Sequence, residues 1–426
     1  DVWTLASTAL VLIMTPGLAL FYGGLVRVRS VVNMMLFSVS AMGVVGVLWV
    51  LFGYSMNYFA PGESGFAGSP FKDFGLIATA PEDFIGVGFG AAFAMITTAL
   101  ISGAIADRVG LGSWVLFAGV WATLVYFPVA AWVWGGGWVY NLGANLGLDV
   151  SVIDYAGGTA VHINAGAAAL ALALVLGKRV GFQKGIHKPH NVPLVMLGAA
   201  ILWFGWFGFN AGAEGTFSLL GTEDSSVGLI VINTLGATAA AIIGWIVVEK
   251  LKDDKPTAVG AASGAVAGLV AITPSCAALA PGWALLLGVI TGAVCALAVE
   301  LKWKLGYDDS LDVVGVHLVG GLVGSVLIGF FADPAALGYA PGKGVGADGL
   351  LQAEQGLFFG GGAGLLVEQV LANAVAMVFS FVVTYAIAKV LDATIGLRVS
   401  EETEVEGLDI KEHAETAYSS MDRSTI

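Results

Sequence analysis

Two histidines lie inside apolar, glycine-rich segments that are each long enough to cross a lipid bilayer. They are His162 in DYAGGTAVHINAGAAALALALVLG and His317 in LDVVGVHLVGGLVGSVLIGFF. An ionisable group at membrane depth is costly, so such groups rarely face lipid and usually line a path for an ion or a proton. Imidazole also gains or loses its proton near neutral pH. The pair therefore indicates a path for an ion or a proton.

The composition is that of an integral membrane protein. Of the 426 residues, 57% are hydrophobic and 12% are charged, whereas a soluble domain carries about 25% charged residues. The net charge of −13 does not indicate a nucleic-acid partner, because nine of the 31 acidic residues lie between Asp392 and Asp422 and most others lie in short loops. The two cysteines, Cys276 and Cys295, are expected to be buried free thiols.

Eleven apolar stretches are close to the ~20 residues that a membrane-spanning helix needs. The sequence therefore predicts an all-α integral membrane protein with eleven transmembrane helices. The eighth is short, because Pro274 closes it. The predicted spans are 3–26, 32–56, 84–105, 113–134, 157–177, 193–213, 227–249, 257–273, 283–301, 311–332 and 364–391.

The orientation follows from the lysines and arginines, which favour cytoplasmic connections. With the N-terminus outside, the inner connections carry twelve of them and the outer loops carry only Lys72 and Lys343. An odd number of spans then places the C-terminal tail in the cytoplasm. We expect a transmembrane domain over residues 1–392 and a cytoplasmic tail over 393–426.

An internal duplication would bring the two histidines together. His162 lies on the fifth span and His317 on the tenth, which run in opposite directions. Asp154 precedes His162 by eight residues, and Asp312 precedes His317 by five. At 1.5 Å rise per residue, each histidine falls about 8 Å inside the end of its span. Inverted repeats of five spans would stack them along one axis near the midplane.

Seven segments resemble the ammonium transporter family (Amt/Mep/Rh), and its prokaryotic Amt branch in particular. They occur in the family's order and spacing from about residue 10 to residue 418. The segments are MTPGLALFYGGLVR, WGGGW, DYAGGTAVHINAG, GWFGFNAG, GAVAGLVAITPSC, DVVGVHLVGG and GLRVSEETEVEGLDIKEHAETAY. The resemblance implies an inverted five-plus-five repeat plus a final helix, and a homotrimer with one pore per subunit.

The resemblance also implies roles for individual residues. His162 and His317 match twin pore histidines that share a hydrogen bond. Trp134 and Phe93 match an outer site that recruits ammonium, and Phe93 and Phe209 match two stacked rings that gate the pore. The remaining matches are Trp206 as pore lining, Asp154 and Thr273 as structural or electrostatic support, and Ala213 at the recruitment site.

Ala213 departs from the family pattern, which often has a serine at this position. Without that hydroxyl, recruitment is expected to depend mainly on Trp134 and Phe93. Glu214, the next residue, is expected to add negative potential nearby.

The implied function is ammonium transport through a dry pore in the cell membrane. A bare cation in hydrocarbon is very costly, so ammonium would leave its proton at the histidine pair and cross as ammonia. Potassium has no proton to give up, so it could not cross in this way. Methylammonium is a further possible substrate, and the sequence leaves open whether the proton follows.

The tail resembles a segment that couples the subunits and, in many bacterial relatives, responds to a PII-type signalling protein.

Two alternatives remain: an ammonium sensor on the same scaffold, and a neutral gas channel of the Rh type, against which Trp134 argues. An enzyme is not expected, because the sequence has no catalytic triad, phosphate-binding loop or HExxH motif. No cofactor and no metal site are expected.

Overall fold

The computed structural model describes residues 2–59, 64–148, 150–182, 188–214, 226–333 and 354–418. Helices dominate these ranges, where a single antiparallel bridge joins Val109 and Arg398. Within the described ranges there are eleven apolar helices. They are α1 (Val2–Leu25), α2 (Val31–Met56), α3 (Pro81–Ile105), α4 (Leu111–Val133), α5 (Gly158–Leu176), α6 (Val192–Gly212), α7 (Val227–Asp253), α8 (Ala258–Ile272), α9 (Pro281–Leu305), α10 (Val314–Phe331) and α11 (Gly364–Thr394).

The helix bounds agree with the predicted spans to within a few residues. Ten of these helices are long and apolar enough to cross a membrane, and α8 is the shorter one, as predicted. Two helix starts differ from the predictions by three residues: α3 begins at Pro81 where the sequence suggests 84, and α10 begins at Val314 where it suggests 311. Asp312 adopts a left-handed backbone with φ of 65°, and a β-carbon disfavours that conformation within a helix.

Glycines bring several helices into very close contact. A β-carbon added at Gly198 of α6 would lie 2.3 Å from the backbone nitrogen of Phe21 in α1. One added at Gly292 of α9 would lie 2.1 Å from the carbonyl oxygen of Ala241 in α7. In a membrane, where apolar burial between helices gains little, such close backbone approach supplies the packing energy.

A buried polar stripe on α11 holds α4 and α5 in place. Gln369 exchanges two hydrogen bonds with the backbone of Ile153, at 2.7 and 2.9 Å. The Thr159 hydroxyl donates to the Asn373 side chain at 2.6 Å, and the Ser380 hydroxyl donates to the Asn164 carbonyl at 2.8 Å. One turn further on, Thr384 accepts from the indole of Trp121 at 2.9 Å. The α11 helix therefore positions α5, which carries His162.

The C-terminal tail folds back on the ends of the transmembrane helices. It contains two short helices, α12 (Glu401–Glu406) and α13 (Leu408–His413). Asp409 accepts hydrogen bonds from the backbone of Val32 and Asn33 at 3.0 and 2.9 Å, and so caps the start of α2. The Val399 amide donates to the Arg108 carbonyl at 3.0 Å. The tail thus lies on the same face as the α1–α2 and α3–α4 connections.

Buried ion pairs join the connections on this face. Asp308 pairs with Arg108 at 3.1 Å and with Arg179 at 2.9 Å, and Asp107 pairs with Arg179 at 3.1 Å. Burial alone would raise the pKa of Asp308, but hydrogen bonds and charge from Arg179 and Arg108 outweigh it and hold that pKa below its ordinary value. The stabilisation is therefore present at neutral pH and is lost as the pH falls through the lowered pKa.

Candidate functional site

A cavity of about 300 Å³ opens at the end of the molecule opposite the tail. Aromatic side chains form much of its wall. Phe93 and Trp134 meet edge to face there, with ring centroids 6.1 Å apart. Trp134 follows the last residue of α4, and its indole nitrogen donates to the carbonyl oxygen of Asp154 at 2.8 Å. Ala213 also lines this cavity.

Two stacked rings lie below the cavity. Phe93 of α3 and Phe209 of α6 have ring centroids 4.1 Å apart and an interplanar angle of 22°. Both side chains are buried. Phe209 in turn lies 6.1 Å from the His162 ring. The two phenylalanines therefore separate the open cavity from the histidines.

His162 and His317 are in direct contact. Their Nδ1 atoms are 3.2 Å apart, and the rings lie nearly parallel with centroids 5.3 Å apart. A hydrogen bond between two neutral imidazoles requires one Nδ1 to donate and the other to accept. One Nε2 atom must then carry a proton and the other a lone pair. His162 Nε2 is buried and has no hydrogen-bond partner among the described residues.

The space around the histidine pair is narrow and mostly apolar. Its open volume is about 10 Å³, which is at the lower limit for one water molecule. Besides the two histidines, it is lined by Met14, Leu18, Phe21, Ile96, Leu100, Val161, Leu202, Trp206, Phe209 and Val266.

Trp206 and Thr273 support the pair from one side. The Trp206 ring stacks on His162 with centroids 5.4 Å apart and an angle of 20°. The Trp206 indole nitrogen donates to the Thr273 hydroxyl at 2.7 Å, and that hydroxyl donates to the Leu269 carbonyl at 2.7 Å. Thr273, expected to give structural or electrostatic support, therefore contacts the histidine pair through Trp206.

Both histidines lie in a π-helical turn at the start of their helix. His162 belongs to Gly158–Ile163 and His317 to Val314–Leu318. Such wide turns are rare and occur frequently at functional sites. The Asp154 carboxylate caps the first turn, accepting from the backbone of Gly157, Thr159 and Ala160 at 3.2, 3.0 and 2.9 Å.

The corresponding aspartate in the second half of the chain is Asp309, which corrects the pairing of Asp154 with Asp312. Asp309 accepts from the Val314 amide at 2.7 Å, at the start of the second π-helical turn. Asp312 instead pairs with Lys302 at 2.5 Å. A signal is present in the sequence, because Asp309 precedes His317 by eight residues, the same interval as from Asp154 to His162.

The predicted residues thus form one row. From the cavity toward the interior of the molecule, the order is Trp134, Phe93, Phe209, His162 and His317, with Trp206 beside them. Sequence reasoning missed Tyr155, which lines the cavity. Its hydroxyl donates to the buried carboxylate of Glu214.

Comparison with known proteins gives the same family throughout. The model of the Ammonium Transporter Family matches residues 2–418. The ammonium transporter of Mycobacterium tuberculosis is 49% identical, with 98% of this chain and 89% of the relative covered. The ammonium transporter Amt1 of Archaeoglobus fulgidus is 40% identical, with 98% of each covered. The crystal structure of Saccharomyces cerevisiae Mep2 has a TM-score of 0.80 at 33% identity, with 94% of this chain and 89% of that one covered.

A structure described as a sensor Amt protein is also similar, with a TM-score of 0.84 at 27% identity over 97% of both chains. The family model covers nearly the whole chain, and the relatives are named as transporters rather than enzymes. This chain, a multi-pass membrane protein, belongs to the ammonium transporter family.

Proposed function

We propose that the chain recruits ammonium in the outer cavity, takes its proton at the histidine pair and conducts ammonia through the apolar space beyond. The observation that carries this proposal is the continuous row of rings from Trp134 to His317. The aromatic rings at the start of the row can attract a cation, and the imidazoles at its end can accept a proton.

The cavity is suited to a weakly held cation. The faces of Trp134 and Phe93 attract a cation by about 0.5–2 kcal/mol each. That energy concentrates ammonium at the mouth of the pore without binding it so tightly that transport slows. Ala213 lines the same cavity but supplies no hydroxyl there.

The stacked rings and the narrow space beyond them act against charged molecules. Phe93 and Phe209 must move apart for anything to pass, and the space below offers few polar atoms. Transfer of an isolated charge into such surroundings is very costly, whereas neutral ammonia crosses at much lower cost. The molecule that passes is therefore ammonia.

The histidine pair accepts the proton from ammonium. One Nε2 carries a lone pair and can accept a proton from ammonium, while the hydrogen bond between the Nδ1 atoms couples the two rings. Ammonium can donate a proton, and potassium, which is of similar size, cannot. The pair thereby discriminates between two cations that an aromatic cavity alone treats alike.

The fold supports an arrangement of the protein in the cell membrane with the N-terminus outside and the tail in the cytoplasm. The tail contacts the α1–α2 connection, which contains Arg27 and Arg29, and the α3–α4 connection, which contains Arg108. Arginines in short connections favour the cytoplasmic side. We also propose a homotrimer with one pore per subunit, a transmembrane domain over residues 1–392, and a regulatory tail over 393–426 that responds to a PII-type protein.

A second candidate is an ammonium sensor, which the similarity to the sensor Amt structure favours. A sensor binds ammonium in the same cavity and reports through its cytoplasmic end without supporting uptake. Growth of a cell that lacks other ammonium transporters therefore separates the two functions.

The proposal is tested by growth on limiting ammonium and by uptake of labelled methylammonium in such cells. The native chain should restore both, and His162→Ala and His317→Ala should reduce them at equal protein levels. His413→Ala, outside the pore, is the matched histidine control and should reduce uptake much less than either pore variant. Native protein that reaches the membrane but restores neither growth nor uptake would contradict the proposal.

A further inference from the structure

The wall of the outer cavity contains a polar pair that the aromatic recruitment site does not use. Tyr155 lines the cavity, and so does Ala213, the residue before Glu214. The Tyr155 hydroxyl donates a hydrogen bond to Glu214 Oε2. Glu214 is 5% exposed, so a carboxylate is held just behind the cavity surface.

Hydrogen bonds hold both carboxylate oxygens of Glu214. Its Oε1 atom accepts from the backbone nitrogen of Ser226 at 3.0 Å, directly before the 27-residue helix α7. The N-terminus of a long helix carries partial positive charge and stabilises an anion. The Glu214 carboxylate therefore accepts one hydrogen bond from the Tyr155 hydroxyl and one from the start of α7.

Another carboxylate at the cavity, that of Asp154, is engaged by the helix backbone. Asp154 directs its oxygens to the backbone of Gly157, Thr159 and Ala160. The Tyr155 hydroxyl, by contrast, donates to Glu214, and a hydroxyl that donates one hydrogen bond can also accept through its oxygen. Donating a hydrogen bond to a carboxylate also makes the tyrosine hydroxyl oxygen more negative.

We propose that Tyr155 and Glu214 form the negative half of the ammonium recruitment site, with the buried carboxylate attracting the cation and the tyrosine hydroxyl oxygen accepting from it. This role rests on the proposed transport function. It gives the site an electrostatic attraction that Trp134 and Phe93 provide only weakly, at the place where Ala213 provides none. Charge attraction in a partly desolvated cavity is several times stronger than in water.

The test is the ammonium concentration dependence of currents from protein reconstituted in liposomes on a solid-supported membrane. Glu214→Gln removes the charge, and we expect it to raise the apparent KM about tenfold. Tyr155→Phe removes the hydroxyl and should raise it about threefold. The maximal current should change less than about twofold in both, since both residues lie on the cavity side of the stacked rings.

Two further variants make the result specific. Glu214→Asp keeps the charge and should restore most of the affinity that Glu214→Gln loses. Glu82→Gln removes an exposed carboxylate beside the start of α3 and should leave the apparent KM unchanged. The temperature of unfolding, measured for every variant, separates a loss of charge from a loss of structure.

The opposite result would assign the pair a structural role only. Glu214→Gln would then lower the unfolding temperature and the maximal current while the apparent KM stayed at the native value. An unchanged KM in both variants, with native protein carrying a normal ammonium current, overturns this inference and leaves the transport function intact. Native protein that gives neither an ammonium current nor uptake of labelled methylammonium instead contradicts the transport function on which the inference rests.

Discussion

At the scale of single residues, two aspartates place the two histidines. Asp154 and Asp309 each cap the π-helical turn that carries a histidine eight residues further on. A carboxylate at a helix start satisfies backbone N–H groups that have no partner within the helix. The histidines therefore depend on these aspartates for their position, through hydrogen bonds that run to the backbone of each turn.

This dependence predicts the effect of Asp154→Asn. An asparagine offers one acceptor oxygen where the carboxylate offers two, and its amide group would face backbone N–H groups. The loss of charge-assisted bonds at a buried site costs about 1–3 kcal/mol. We expect a lower unfolding temperature and reduced ammonium current, measured in detergent and in liposomes respectively. Asp253→Asn, at an exposed helix end, is the control. If Asp154→Asn unfolded at the same temperature as the native protein, the capping role of Asp154 would be contradicted.

The residue types at the site can be read from the sequence, but their contacts cannot. Histidine at membrane depth is rare enough to indicate function, so His162 and His317 stand out from the sequence alone. The Tyr155–Glu214 pair does not, because 59 residues separate its members and only the fold brings them together. Proximity to His317 favours Asp312 over Asp309, whereas the decisive signal is the repeated eight-residue interval.

At the scale of the helices, close contact between α5 and α10 sets the distance between the histidines. A β-carbon added at Gly166 of α5 would lie 2.5 Å from the backbone nitrogen of Leu318, the residue after His317. Atoms cannot approach so closely, and packed interiors respond by shifting backbone. A glycine at this point therefore keeps the rings within hydrogen-bond distance.

Gly166→Ala should accordingly move α5 away from α10 and weaken the hydrogen bond between the imidazoles. We expect the ammonium current to fall about tenfold, since a displacement of 1 Å at a reacting centre can cost more than that. The comparison is Gly43→Ala in α2, where an added β-carbon meets no atom of the described residues within 4 Å. Equal currents from the two variants would show that the helix contact does not set the histidine geometry.

Helix positions are predictable because long apolar stretches with basic connections have one simple explanation. Which helices pack against one another is harder to predict. The stripe of Gln369, Asn373, Ser380 and Thr384 on α11 repeats at four- and seven-residue intervals, which place polar groups on one helix face. That pattern is present in the sequence, but its partners in α4 and α5 cannot be read from it.

At the scale of the whole molecule, the tail is connected to the pore helices by charged side chains. Glu404 of α12 accepts from the Val180 amide at 2.5 Å, just after α5, and from Arg398 at 2.7 Å. Arg398 also donates to the carbonyl of Leu176, the last residue of α5. A change in the tail can thereby reach the helix that carries His162.

Glu404→Gln should loosen the tail, because it removes the charge that holds Arg398. A hydrogen bond between charged groups contributes about 1.5–3 kcal/mol, so brief release of the tail should become at least about tenfold more frequent. Trypsin cleavage at Arg398, followed by mass spectrometry, measures this release. Glu401→Gln, at an exposed position, is the control. Equal cleavage rates in both variants would mean that Glu404 does not anchor the tail.

The central claim is that the imidazole pair permits transport of ammonium, which can give up a proton, and excludes cations that cannot. The most direct measurement is the ratio of ammonium to potassium current in liposomes, for native protein and for the variant with both His162→Ala and His317→Ala. The account predicts a high ratio for native protein and at least about a tenfold fall in the double variant. A double variant that still carries the full ammonium current and still excludes potassium would contradict it.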